Sequence, residues 1–168
     1  SKEFDHDRAI VLNNAIASGI HRFFLPNVDA DSMDGLIELC DKYPVNCFPM
    51  MGLHPCSVKE DFEKELVRIK NTLNKRKFYA IGEIGIDLYW DKTFIEQQKI
   101  VFKTQIAWAI KMNLPIVIHC RNSFNDIINI LKEFKTDSLS GILHCFTCTL
   151  REAEEVIGLG FYLGIGGV

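Results

Sequence analysis

Four side chains that can bind a divalent metal each follow a short apolar run of the sequence. They are His54, Glu83, His119 and His144. A carboxylate together with imidazoles suits zinc, manganese, iron or a similar divalent ion. A single histidine at the end of a strand is more often a structural hydrogen-bonding group than a ligand. Four such groups at corresponding positions favour a shared metal site, and therefore metal-assisted chemistry.

The cysteines offer a weaker alternative set of ligands. Cys120 and Cys145 directly follow two of the histidines. Because neighbours on a strand point to opposite faces, we predict that both thiols point away from the site. Cys145 and Cys148 form a C-x-x-C pair, but the surrounding sequence is not thioredoxin-like, which disfavours a redox role. Reduced cysteines in a chain with ample apolar content predict a cytoplasmic protein.

Apolar runs typical of β-strands alternate with amphipathic helices along the sequence. The predicted strands are residues 20–25, 47–53, 78–84, 115–120, 141–146 and 161–165. Three helix starts carry a capping-box pattern, namely Ser57 with Glu60, Thr93 with Glu96, and Thr149 with Glu152. Strict alternation predicts a parallel sheet, either open and doubly wound or part of an eight-stranded barrel. In a barrel the carboxyl ends of the strands share one face, so the four metal-competent side chains would converge there.

Length and composition indicate one globular unit. The 168 residues are 48% hydrophobic and 24% charged, with a net charge of −3. We predict a single domain over residues 1–168. The charge alone does not indicate nucleic-acid binding, but metal ions could supply positive charge at a phosphate. We expect no membrane span, because no apolar run reaches about 18 residues.

Four short motifs together resemble one known family. They are Met-Gly-Leu-His-Pro at 51–55, Ile-Gly-Glu-Ile-Gly-Ile-Asp at 81–87, Ile-His-Cys-Arg at 118–121 and Leu-His-Cys-Phe-Thr at 143–147. In this order and spacing they are similar to the TatD family of metal-dependent deoxyribonucleases, over essentially the whole chain. The resemblance implies a (β/α)8 TIM-type barrel with two divalent ions (Mg, Mn or Zn). It also implies an exonuclease that hydrolyses phosphodiester bonds in DNA with a metal-activated water.

The same resemblance implies a role for each site residue. Glu83 would be the catalytic carboxylate that bridges both metal ions. His119 and His144 would complete the ligands of the second ion. His54 and Arg121 would face the phosphate of the DNA substrate.

The family's pattern extends beyond both ends of this sequence. Its His-x-His, at the end of the first strand, is expected before Ser1, and its late Asp, on the eighth strand, is expected after Val168. We therefore predict an incomplete barrel that holds about strands 2 to 7. One of the two metal half-sites would be retained in this chain.

Alternatives remain open for one residue and for the function. Asp87 either supports a metal ligand or caps a turn. A different amidohydrolase-type barrel hydrolase, acting on amides, lactones or nucleobases, would also carry histidines at its strand ends. Many such enzymes bridge their metals with a lysine where this chain has Glu83. An inactive truncated scaffold is the third alternative.

Overall fold

The computed structural model describes residues 6–134, 136 and 138–167. Helices and strands alternate through these residues, and a short 3₁₀ helix, Pro55–Ser57, follows the second strand. The elements are α1 (Arg8–Ala17), β1 (Phe23–Leu25), α2 (Met33–Lys42), β2 (Cys47–Pro49), α3 (Phe62–Leu73), β3 (Ile81–Asp87), α4 (Ile95–Met112), β4 (Ile116–Arg121), α5 (Phe124–Glu133), β5 (Gly141–Leu143), α6 (Leu150–Gly158) and β6 (Tyr162–Leu163). None of the helices in the described ranges combines the length and apolar character needed to cross a membrane.

All the strand pairs in the described residues are parallel. β1 pairs with β2, and β3, β4, β5 and β6 form a four-stranded sheet in that order. An isolated parallel bridge between Met51 and Ile81 joins the two sheets. Beside it, the Met51 N–H donates to the Ala80 carbonyl (3.2 Å) and the Gly82 N–H donates to the Met51 carbonyl (3.0 Å). The predicted α/β alternation and parallel pairing are confirmed, and the strands lie in chain order without the reversal of a doubly wound sheet.

The core lies where the two central strands meet the long helix α4. Fully buried isoleucines of β3 and β4 pack with Phe102 and Ile106 of α4. Gly85 allows the two strands to approach, because a Cβ at this position would lie 2.0 Å from the His119 carbonyl oxygen. Its φ of +145° is also rarely adopted by residues with side chains. The strands that carry Glu83 and His119 are thereby held in direct contact.

Helix starts agree with the sequence patterns at one of three capping boxes. At Thr149 the box is formed, because its hydroxyl accepts from the Glu152 N–H and the Glu152 carboxylate accepts from the Thr149 N–H. The prediction at Ser57 is wrong, since α3 begins five residues later, at Phe62. The prediction at Thr93 is wrong as well, because Phe94 occupies the cap position of α4.

Candidate metal centre

A bulge in β3 directs the Glu83 side chain. Gly82 pairs with Val117 and Ile84 pairs with Ile118, so Glu83 has no partner on β4. An extra residue of this kind locally bends the strand and redirects its side chain. The predicted position of Glu83 at the end of a strand is therefore wrong, because pairing with β4 continues for four residues beyond it.

His54, Glu83 and His119 form a compact group. Their potential ligand atoms all lie within 4.8 Å of one another. His119 Nδ1 lies 3.4 Å from Glu83 Oε1, and the side chains of these two residues are only 20% and 14% exposed. The His54 ring packs edge-on against the His119 ring, with 4.5 Å between centroids. One carboxylate and two imidazoles at this spacing are a donor set that fits a divalent ion.

Asp87 supports His119 and also caps a turn, so the two interpretations left open by the sequence both apply. Its Oδ2 lies 2.8 Å from His119 Nε2, and its Oδ1 accepts from the N–H groups of Tyr89 (2.9 Å) and Trp90 (3.2 Å). A carboxylate on Nε2 selects the tautomer protonated there. In neutral His119 the lone pair is then on Nδ1, the nitrogen that faces Glu83.

The hydrogen bonding of His54 differs from that of His119. His54 Nδ1 accepts from the Cys56 N–H at 3.1 Å. A neutral imidazole that accepts at Nδ1 carries its proton on Nε2. Burial, together with the nearby His119, lowers the pKa of His54 to about 4, against the opposing effects of Glu83 and Asp87. Near neutral pH His54 therefore presents an N–H donor, which suits an oxygen atom better than a metal ion.

Opposing effects of burial and charge set the ionisation of the Glu83–His119 pair. Burial raises the pKa of Glu83, but its hydrogen bond with His119 and the charges of the neighbouring histidines outweigh this, so the net pKa is lowered. Burial lowers the pKa of His119, but hydrogen bonds with Glu83 and Asp87 outweigh this and the net pKa is raised. Glu83 is consequently ionised at neutral pH, as a metal ligand must be.

His144 lies outside the three-residue group identified among the described residues. It directly follows β5, its N–H donates to the Ile118 carbonyl (2.9 Å), and its Nε2 lies 3.3 Å from Cys145 Sγ. The prediction that Cys145 points away from the histidine is wrong. The strand ends at Leu143 and Cys145 has a φ of +45°, so strand alternation does not apply. The assignment of His144 as a metal ligand stays a prediction.

Arg121 lies at the carboxyl end of β4, next to two exposed aromatic residues. Its guanidinium carbon is 3.7 Å from the centre of the Tyr89 ring and 5.3 Å from that of Trp90. Arg121 and Tyr89 line a cleft of about 580 Å³ that also includes Cys148 and Glu152. The predicted contact of Arg121 with a phosphate stays a prediction, as does that of His54.

Two buried glutamines on α4 hold the backbone beside the site, and the sequence analysis missed both. Gln105 Oε1 accepts from the Leu53 N–H (2.7 Å) while its Nε2 donates to the Leu53 carbonyl (3.2 Å). Gln98 makes the same pair of bonds with Asp87 (2.9 and 3.3 Å). Leu53 precedes His54, so α4 positions the backbone both in the segment after β2 and at the end of β3. The sequence does place two glutamines, seven residues apart, among the apolar residues of one helix face, and this pattern could have identified them as buried polar residues.

Comparisons with known proteins agree with this arrangement. The family model described as TatD related DNase matches residues 1–168. A relative from Bacillus subtilis (strain 168), the uncharacterized metal-dependent hydrolase YabD, is 35% identical over 167 residues, which cover 99% of this chain and 65% of the relative. The 3'-5' ssDNA/RNA exonuclease TatD of Erwinia tasmaniensis is 29% identical over 99% of this chain and 64% of its own length.

A solved structure has the same fold. The crystal structure of YjjV, a TatD homologue from Escherichia coli K12, superposes with a TM-score of 0.90 and 27% identity, over 98% of this chain and 63% of that one. The fold of the described residues is thus close to that of this TatD homologue. The chain spans just under two thirds of the length of the relatives it matches.

Proposed function

The chain belongs to the family of TatD-related DNases, which are metal-dependent hydrolases, and from this membership we propose that it hydrolyses phosphodiester bonds in DNA as an exonuclease. The observation that carries the proposal is the Glu83–His119 pair, which lies on the neighbouring parallel strands β3 and β4 and is held by Asp87. An ionised carboxylate and an oriented imidazole at this place are what a hydrolytic divalent ion requires. The exonuclease name of the Erwinia relative supports the choice of a nucleic-acid substrate.

We assign the site residues as follows. Glu83, His119 and His144 would hold the second divalent ion (Mg, Mn or Zn), and Glu83 would also be a ligand of the first. When bound, such ions activate a water molecule and neutralise negative charge on the phosphate. Asp87 keeps the ligating nitrogen of His119 directed at Glu83.

His54 and Arg121 act on the substrate in this assignment. His54 donates its Nε2–H to a phosphate oxygen, which is consistent with Nδ1 being occupied by the Cys56 N–H. Arg121 provides a positive charge at the exposed end of β4. The two residues orient the phosphate, and a chain with a net charge of −3 needs such local positive groups to hold an anion.

We further propose that β1 to β6 are strands 2 to 7 of an eight-stranded barrel. Support comes from the sequential parallel strand order and from the match to just under two thirds of each relative. In this proposal the His-x-His and late Asp ligands of the first ion belong to the full-length polypeptide. This chain contributes the half-site around Glu83.

The test is hydrolysis of single-stranded DNA by the full-length protein with Mg²⁺ or Mn²⁺. We expect Glu83→Ala to abolish turnover, because the ions lose their shared ligand. Glu60→Gln, which removes an exposed carboxylate elsewhere, is the matched control and should retain normal turnover. Near-normal hydrolysis by Glu83→Ala would refute the assignment. A panel of amides and lactones completes the test, since preferential turnover of these neutral compounds would favour an amidohydrolase-type activity instead.

A further inference from the structure

Two neighbouring aromatic side chains stand exposed beside the metal centre. Tyr89 is 51% exposed and Trp90 is 69% exposed, and their rings meet edge to face with 4.8 Å between centroids. We call this pair the aromatic step. Scattered exposed aromatics are common on proteins, so exposure alone assigns nothing. Three features of the aromatic step point to a ligand. They are its position next to the metal centre, the anchoring of its backbone by Asp87, and the neighbouring charge of Arg121.

The aromatic step is fixed to the metal centre by one carboxylate. Asp87 Oδ1 accepts from the backbone N–H groups of both aromatic residues, while Oδ2 of the same side chain binds His119. Gln98 in turn holds the Asp87 backbone from α4. The backbone that carries both rings is therefore held in a defined position relative to the His119 imidazole. A surface that is pre-organised in this way costs little entropy when a ligand stacks on it.

The charge next to the aromatic step matches a nucleotide. The Arg121 guanidinium lies over the Tyr89 ring at 3.7 Å and over the Trp90 ring at 5.3 Å, and the Trp90 side chain is still 69% exposed. An aromatic face provides stacking for a nucleobase, and an adjacent arginine provides a partner for its phosphate. A base inside a duplex is already stacked on both sides, so an unpaired base or the last base of a strand is the one that can use such a surface.

We propose that Trp90, supported by Tyr89 and Arg121, stacks against a nucleobase next to the scissile phosphate. This inference rests on the proposed phosphodiesterase function and adds a recognition element to it. The step contacts the base and leaves the bond-breaking groups unchanged. Its loss therefore weakens substrate binding and leaves the chemical step intact.

The kinetic test compares Trp90→Ala with the parent full-length protein in Mn²⁺. On a single-stranded oligonucleotide we expect the KM to rise about tenfold with little change in kcat, in keeping with the usual effect of removing a stacking aromatic. On bis(p-nitrophenyl) phosphate, which has no base, both proteins should turn over equally. Trp90→Phe should recover most of the loss. Tyr79→Ala, which removes a partly exposed ring just before the amino end of β3, is the control and should leave the KM unchanged.

A binding test separates this inference from the proposed function. Trp90 and Trp108 are the two tryptophans of this chain. Stacking predicts that an oligonucleotide quenches the tryptophan fluorescence, and that Trp90→Phe removes this response while Trp108→Phe keeps it. If the parent protein hydrolyses no phosphodiester, the proposed function fails, yet quenching specific to Trp90 would still support the stacking surface. Hydrolysis of the oligonucleotide with an unchanged KM in Trp90→Ala, or quenching that persists in Trp90→Phe, would overturn the inference.

Discussion

The two histidines of the compact group differ in which ring nitrogen is occupied. His119 uses Nε2 for Asp87 and directs Nδ1 at Glu83, whereas His54 uses Nδ1 for the Cys56 amide. Distance alone would make both of them equivalent metal ligands. The tautomers separate the two, because a metal needs a lone pair and a phosphate oxygen needs a donated proton.

Asp87→Asn tests the tautomer of His119. An asparagine can still accept from the Tyr89 and Trp90 amides, so the turn survives. Its amide group would donate to His119 Nε2 and move the ring proton to Nδ1, where it blocks the metal. We expect metal affinity to fall by about 10- to 100-fold, the usual range for loss of such a partner. Isothermal titration with Mn²⁺ measures this, and Asp91→Asn, a substitution in the same loop, should bind Mn²⁺ as the parent does.

The roles of His144 and His54 can be separated by a pair of alanine variants. Loss of a ligand weakens metal binding, whereas loss of a phosphate contact raises the KM and leaves metal affinity nearly unchanged. We expect His144→Ala to show the first behaviour and His54→Ala the second. Titration with Mn²⁺ and steady-state kinetics on DNA would both be measured for each variant. The reverse pattern would make His54 the ligand and remove His144 from the centre.

Helix α4 acts on the site although it contributes no metal-competent side chain. Its two glutamines bind the backbone at Leu53 and Asp87, each through one donor and one acceptor. At Leu53 these bonds lie beyond the end of β2 at Pro49, in a segment whose backbone also bonds through the His54 N–H to the Val28 carbonyl (2.8 Å). The element that supports the site is thus a helix packed behind it.

Gln105→Leu tests this support. Leucine has a similar volume, but it leaves the buried N–H and carbonyl of Leu53 without partners. We expect the variant to lose roughly 2 to 6 kcal/mol of unfolding free energy, at about 1 to 3 kcal/mol for each of the two unsatisfied groups. Urea denaturation followed by circular dichroism gives the value. Gln97→Leu on the same helix is the control and should change stability by less than about 0.5 kcal/mol. Equal effects of the two substitutions would contradict the supporting role.

At the scale of the whole molecule, the metal centre joins strands that are far apart in the sequence. A ligand that binds only the folded state stabilises it by mass action. At 100 times its dissociation constant, Mn²⁺ should add about 2.7 kcal/mol. For a domain of this size that is a rise in Tm of roughly 5 to 10 °C.

Differential scanning fluorimetry with and without Mn²⁺ measures this shift, and EDTA should reverse it. Glu83→Gln keeps the shape of the side chain and removes its charge, so the shift should disappear. The exposed substitution Glu60→Gln should retain it. A shift of the same size in both variants would place the ion elsewhere on the molecule.

Much of the architecture was predictable because local patterns report burial. Continuous apolar runs identified the buried strands, and helical periodicity located α2 and α6 within a few residues of their observed bounds. The prediction that Glu83 and His119 lie close together is confirmed, because β3 and β4 are parallel neighbours, although Glu83 lies within β3 and not at its end. The assignments of His144, Arg121 and the domain extent remain predictions.

The sequence by itself determined the element types, their order and which side chains could reach one face, since these depend on residues close together along the chain. The tertiary structure alone decided which atoms meet. The bulge at Glu83, the occupied nitrogen of His54 and the Gln105–Leu53 bonds all depend on strand register or on partners up to 52 residues apart. Such contacts follow from how whole elements pack against each other, and a local periodicity contains no information about them.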